Sequence, residues 1–291
     1  MATMRELKGR IDSVHSSQKI TGAMKMISSA RLRKAESRLA HSQPYREKLW
    51  EIYHHIMGAG CEYDSLLTRA REVKRVAVVI FASDEGLCGA FNINVYKELR
   101  EVVREYRQKG VREITVWPVG KKIQYDVHRM PGVAIEEVNP LFEGKKDFSQ
   151  ATKVVAEQLV NQFLTGKIDR ADIIYTHYKS IGTQLVMNQR FLPVRQEEKK
   201  EVTAEQERTW YIYEPDCAAI LQTLYPLILH AQMYQALMES RTSEQAARIL
   251  AMQMANDNAN KLLGNLHLEY NKLRQQGITS ELLDIAGGTV R

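Results

Sequence analysis

Cysteine is scarce in this chain: Cys61, Cys88 and Cys217 are the only three in 291 residues, and no two of them form a C-x-x-C pair. That spacing supports neither a zinc-ligand framework nor the dense disulfide scaffold of a small secreted domain, and a reducing compartment fits it best. Long apolar runs are missing too. The most apolar stretch, Leu221 to Met238, is interrupted by Gln222, Pro226, His230, Gln232 and Gln235, so it does not read as a membrane span. Met1 to Ile11 carries charges every few residues and lacks the apolar centre of a signal peptide. Nor is there a large excess of one charge: 41 Lys plus Arg against 35 Asp plus Glu leaves +6. With 44% hydrophobic and 26% charged residues the composition is globular, which excludes disordered and collagen-like classes.

The motifs of nucleotide and hydrolytic chemistry are absent as well. Gly-Lys occurs at Gly120-Lys121, Gly144-Lys145 and Gly166-Lys167, but without the earlier glycine and following Ser or Thr of a P-loop. The turn Asp84-Glu85-Gly86-Leu87-Cys88-Gly89 is not G-x-G-x-x-G, and its two carboxylates would repel a pyrophosphate. No H-E-x-x-H or G-x-S-x-G occurs, and His54 and His55, adjacent on a helix, point in different directions, so a shared metal site is not expected. Cys88 sits where a helix N-terminus could activate a thiol, but with no histidine nearby it reads as a small residue packed in a tight turn. No catalytic residue, cofactor or metal is therefore expected.

What the sequence does contain is periodicity. Between Met4 and Met57 there is one proline, Pro44, amid good helix formers. Steps of three and four residues from Met4 pass through Leu7, Ile11 and Val14 at one end and Leu49, Tyr53 and Ile56 at the other, with a polar centre at Gln18, Thr21, Lys25 and Ser28. Ile20, Met24, Met26 and Ile27 fall off that seam, which predicts a second contact there. A similar frame runs from Leu221 to Leu273, twelve of its sixteen positions apolar. Two helices of this length predict a protruding coiled coil, and antiparallel pairing lets the chain ends meet across whatever lies between them. Pro226 is expected to kink the second helix or to mark its boundary.

The intervening chain alternates strand and helix patterns: strands at Arg75–Ser83, Ile114–Pro118, Val133–Val138 and Ala171–Tyr178, helices at Asn92–Lys109, Lys121–His128 and Ser149–Leu164, and a last strand at Gln184–Val194 expected as an antiparallel edge. This predicts an α/β, doubly wound parallel sheet. The expected division is 1–57 as an N-terminal coiled-coil helix, 58–215 as the Rossmann-like α/β domain and 216–291 as a C-terminal coiled-coil helix, with Arg195–Thr209 as a solvated charged linker. The basic cluster Arg31, Arg33, Lys34 and Arg38 lacks interleaved aromatics, so a solvated helix face is expected first and an acidic protein partner second. Two other classes stay open on composition: a basic coiled-coil nucleic-acid-binding protein and a Rossmann-type enzyme.

Five segments in order along the chain carry a family resemblance: Ile20-Thr21-Gly22-Ala23-Met24-Lys25-Met26; Ser83-Asp84-Glu85-Gly86-Leu87-Cys88-Gly89 with Asn92-Ile93-Asn94; Tyr213-Glu214-Pro215; Ser243-Glu244-Gln245-Ala246-Ala247-Arg248 through Asp257-Asn258; and Tyr270-Asn271-Lys272 through Ile278-Thr279. The chain resembles the gamma subunits of bacterial rotary ATP synthases, departing from them at Glu85, where the family has Arg, at Gly288, where it has Ala, and at Pro226. The resemblance implies a non-catalytic rotor shaft turning inside a ring of alpha and beta subunits, with the epsilon subunit and the membrane c-ring as further partners and no nucleic acid or direct membrane insertion. It implies attachment at the cytoplasmic face of the cell inner membrane through those partners. Arg274, Gln275 and Thr279 match family positions that hydrogen-bond a beta-subunit loop; Ile278, Leu282, Leu283, Ile285 and Ala286 match the apolar tip. Met24 and Lys25 match the region facing an acidic lever of the beta subunits, and Arg31, Arg33 and Lys34 are expected at the same interface.

Overall fold

The structure is a computed structural model that describes residues 3–59, 65–143, 148–194 and 211–288. The charged stretch expected as a linker, Arg195–Thr209, lies outside the described residues. Helix α1 (Met4–Gly58) begins at a capping box in which the Glu6 amide donates to Thr3 Oγ1 at 3.3 Å and the Thr3 amide to Glu6 Oε2 at 2.9 Å. That reciprocal pair satisfies two amide donors that the first helical turn leaves without partners. Helix α5 (Cys217–Gly288) starts where Asp216 Oδ1 accepts the Ala219 amide at 2.7 Å. Between them lie β1 (Arg75–Phe81), α2 (Phe91–Gln108), β2 (Glu113–Val119), α3 (Lys121–His128), β3 (Ala134–Ile135), α4 (Ser149–Leu164), β4 (Arg170–Ser180) and β5 (Thr183–Leu192).

The sheet order is β3-β2-β1-β4-β5, parallel except for β5, which runs antiparallel on the edge beside β4. Alternation along the buried β1 divides the core in two. Val76, Val78 and Ile80 meet Val95 and Leu99 of α2 and Val127 of α3. Ala77, Val79 and Phe81 share a second cluster with Leu159 and Phe163 of α4, Leu49 and Tyr53 of α1, and Leu224 and Tyr225 of α5. A parallel sheet needs both faces covered. The base of the helical pair supplies part of one cover, so shaft and sheet share a continuous core.

Three expectations are corrected. The strand expected over Val133–Val138 shortens to Ala134–Ile135 because Asn139-Pro140-Leu141 turns into a 3-10 helix. Of the two expectations for Pro226, the helix boundary is excluded, since the residue lies inside α5. It faces solvent, as does Gln222, whose carbonyl would have accepted the missing N–H and can be hydrated instead, while Leu221, Leu224, Tyr225, Ile228 and Leu229 hold the other side in the core. Cys217 is disulfide-bonded, against the reading of scattered reduced thiols, whereas Cys88 is free and buried.

Gly120, part of a Gly-Lys pair with no phosphate-loop context, has a structural task. Its φ is 118°, its amide donates to Asn139 Oδ1 at 2.7 Å, and a Cβ there would lie 2.5 Å from the Ala82 carbonyl oxygen. Gly120→Ala is expected to destabilise the purified chain by roughly 2 kcal/mol or more in urea unfolding, because both the strained φ and the backbone clash must be relieved.

Candidate functional site

The helices pair antiparallel: Gln18 donates to Asn260 at 2.5 Å, Lys25 to Gln253, and the Tyr53 and Tyr225 rings meet at 6.0 Å, so partners descend α5 as residues ascend α1. The seam follows the sequence periodicity closely. All sixteen seam positions from Leu221 to Leu273 are buried or half-buried, as are those of α1 except Met4. At the polar centre Lys25 and Met24 are half-buried, whereas Ile20, Met26 and Ile27 point outward at 60%, 70% and 54% exposure. Arg33 and Lys34 are exposed, and Arg31 reaches Glu85 at 3.8 Å in an exposed pair worth little by itself.

The turn after β1 is bound to α5. Ser83 and Asn92 exchange hydrogen bonds at 3.0 and 2.7 Å across it, with the Cys88 thiol 3.4 Å from Asn92 Nδ2. Leu87 takes φ 63° and Gly89 φ 60°. Such a left-handed leucine persists only where its surroundings over-determine it, and Arg248 provides that restraint. Its guanidinium donates to the Glu85 and Gly86 carbonyls at 3.3 and 3.2 Å and pairs with Glu244 at 2.8 Å, in a nearly solvent-free position. Burial pushes the Glu244 carboxyl up from the usual range, with Arg248 and Arg241 pulling it back, and burial lowers Arg241. Arg241 in turn lies 3.6 Å from Asp84 and stacks on the Phe148 ring at 3.8 Å.

Ser240 of α5 donates to the Phe81 carbonyl at 3.3 Å and Ser243 to the Thr176 carbonyl at 3.0 Å. These carbonyls belong to β1 and β4, adjacent strands whose connections leave in opposite directions. In open α/β sheets the crevice at the carboxyl ends of such strands is the usual ligand position. Here α5 runs across it, and a cavity lined by Cys88, Phe91, Asn94, Thr176 and Ala251 remains beside the helix.

The other sequence-predicted residues lie far from this junction. In the register set by Gln18 and Asn260, Met4 stands level with Arg274, and among the described residues α5 continues alone to Gly288, about 20 Å further at helical rise. Arg274, Gln275 and Thr279 are exposed at this end, with the Thr279 hydroxyl donating back to the Gln275 carbonyl at 2.8 Å. Ile278, Leu282, Leu283 and Ile285 follow at 48%, 61%, 66% and 66% exposure; the Ala286 side chain lies outside the described residues. The predicted residues therefore form two regions: Met24 and Lys25, with Arg31, Arg33 and Lys34 one to three turns further along α1, and the solitary end of α5. His54 and His55 diverge as expected, the first ring stacking near Trp50 at 5.9 Å and the second near Tyr211 at 4.9 Å. Sequence reasoning assigned no role to Arg241, Glu244 and Arg248. The i,i+4 spacing of Glu244 and Arg248 was the available signal.

The structure is thus a two-helix shaft clamped to an α/β domain through α5. The family model described as ATP synthase matches residues 3–290. The ATP synthase gamma chain of Bacteroides thetaiotaomicron is 42% identical over all of both chains, and that of Parabacteroides distasonis 40% identical over 99% of this chain and 98% of its own. The fold is shared with a rotor chain of the Euglena gracilis mitochondrial ATP synthase (TM-score 0.62, 20% identity, covering 94% of this chain and 98% of that one). It is also shared with a central-stalk chain of the Tetrahymena thermophila enzyme (TM-score 0.56, 22% identity, covering 81% and 99%). The chain belongs to the ATP synthase gamma chain family. Among the described residues no helix is long and apolar enough to cross a membrane.

Proposed function

We propose that this chain is the central-stalk rotor of a proton-transporting ATP synthase, its solitary α5 end inside a ring of alpha and beta subunits and its foot held to the epsilon subunit and the membrane c-ring at the cytoplasmic face of the inner membrane. The observation that carries the reading is the shaft: two antiparallel helices joined to the sheet through a continuous core, with α5 running on alone to a polar and then apolar end. Proton flow turns the membrane ring and the foot with it. The shaft is asymmetric, so each beta subunit meets a different surface and its nucleotide affinity shifts by the difference in contact energy between its conformers. Catalysis stays with the ring; this chain transmits rotation.

Three contacts follow. Arg274, Gln275 and Thr279 present guanidinium, amide and hydroxyl groups to carboxylates and carbonyls of a beta-subunit loop. Ile278, Leu282, Leu283 and Ile285 turn in an apolar bearing. Met24, Lys25, Arg31, Arg33 and Lys34 face the acidic levers of the beta subunits. Purification from membranes through a tag on this chain is expected to bring down alpha, beta and epsilon subunits, identified by mass, with salt-insensitive yield. Recovery without ring subunits, or ATP synthesis under a proton gradient by a reconstituted complex lacking this chain, would overturn the reading.

A further inference from the structure

α5 leaves part of the crevice at the carboxyl ends of β1 and β4 open. A cavity of about 570 Å³ lies there, between the start of α2, the start of β5 and the middle of α5. That is the size of a small-molecule site, well beyond the voids of a packed core. Its wall on α5 is recessed, because Ala247, Ala251 and Ala255 recur at four-residue spacing along the face that lines it. Phe91, Val186, Leu250 and Met254 supply apolar surface, Asn94 and Asn258 stand exposed at the mouth, and none of the described residues that line the cavity is charged. A charged ligand would lose water there without gaining a counter-charge, so the lining selects an uncharged molecule.

Thr176 adds a polar group to this lining. The residue is 2% exposed, and its hydroxyl is buried with no hydrogen-bond partner among the described residues, although its carbonyl accepts from Ser243. Strand alternation sets the direction of the side chain. Ile174, two residues earlier, packs with Val95 and Leu99 of α2, so Thr176 faces the same side, next to its ladder partner Val186 and toward Phe91. A buried hydroxyl without a partner weakens a fold and calls for an explanation. A ligand carbonyl would accept its proton without bringing a further donor that needs a partner of its own.

We propose that this cavity is a binding site for a small, uncharged, largely apolar molecule bearing a carbonyl, with Thr176 donating to the carbonyl oxygen and Phe91, Val186, Leu250 and Met254 holding the apolar body. Benzophenone tests it, being apolar around one carbonyl and marking the residues beside it on irradiation. On the purified full chain the expected result is saturable labelling at Phe91 or between Leu250 and Met254, with half-saturation at or below about 1 mM. Diphenylmethane, the same shape without the carbonyl, and 4-benzoylbenzoate, which adds a charge, should compete at least about fivefold more weakly than unlabelled ketone. Thr176→Val should erase the advantage of ketone over hydrocarbon while keeping or raising the melting temperature, since its hydroxyl has no bond to lose. Ala251→Phe should fill the cavity and abolish labelling. Scattered or unsaturable labelling overturns the proposal, as does equal competition by the hydrocarbon in the parent chain. A lower melting temperature in Thr176→Val also counts against it, because the hydroxyl would then have a partner within the chain. Labelling of the chain alone that disappears in the complex recovered from membranes assigns the cavity to a partner subunit and overturns it too. Each of these results leaves the stalk reading untouched.

Discussion

Replacing Arg248 with methionine is expected to destabilise the purified chain by about 3–5 kcal/mol, the usual consequence of leaving a buried charge without its partner. The guanidinium is nearly inaccessible, and its loss strands the Glu244 carboxylate, itself only 12% exposed, together with the Gly86 carbonyl, while the Glu85 carbonyl keeps only the Ser83 hydroxyl at 2.7 Å and the distant Cys88 thiol. Nothing else on α5 reaches those carbonyls, so the turn that carries Leu87 at φ 63° should relax as well. The deficit has a pH signature. Burial already raises the Glu244 carboxyl above its ordinary 4.5, and losing the arginine raises it further. An acid whose folded pKa is raised contributes stability at pH below its unfolded value and loses it as pH rises through the folded one. The gap between variant and parent should therefore be full near pH 8 and narrow toward pH 5. Adding Glu244→Gln should recover part of it at neutral pH. Urea unfolding across that range reads all three effects; a loss under about 1 kcal/mol, or one independent of pH, would show that the clamp contributes little.

Arg274→Ala is the converse case, expected to leave the fold alone and damage the work. Arg274 is exposed at the solitary end of α5, and surface changes of this kind stay within about 0.5 kcal/mol of the parent in unfolding. Charge-assisted hydrogen bonds across an interface contribute about 1.5–3 kcal/mol each, so ATP synthesis by the assembled enzyme should fall about tenfold or more. Arg274→Lys keeps the charge but not the planar fork and should fall between the two. Unchanged synthesis and hydrolysis in the assembled alanine variant would refute the assignment.

Much of this architecture is legible in the sequence because two periods govern it. Three- and four-residue spacing placed Leu32, Leu49, Ile249 and Leu266 in a seam that the structure buries, and β-branched runs such as Val76 to Ile80 located the central strands to within a residue or two. The same frame isolated Ile20, Met24, Met26 and Ile27, of which Ile20, Met26 and Ile27 are exposed while Met24 is half-buried. What the sequence did not disclose is tertiary. Pro226 violates a local rule that the packing of Tyr225 and Ile228 outweighs. Arg248 looks like any helix-surface arginine until the turn after β1 arrives beside it from 162 residues away in the chain. The solitary end of α5 was legible only as an apolar run; its exposure depends on where α1 starts, which pairing alone decides.

That pairing also sets a problem of timing. Gln18 and its partner Asn260 are 242 residues apart, so at ribosomal rates of about 5–20 residues per second the first helix waits roughly 10–50 seconds for the second to be made. During that interval α1 holds an apolar seam with nothing to cover it, and its polar centre gives it little reason to stay helical alone. The sheet can form meanwhile, since every strand of it lies between the two helices. Its core then takes up Leu49, Tyr53 and Ile56 first, giving α5 a fixed base from which the two helices zip toward the termini. The seam of this subunit is therefore expected to be most open to wrong partners during synthesis, before α5 is there to cover it.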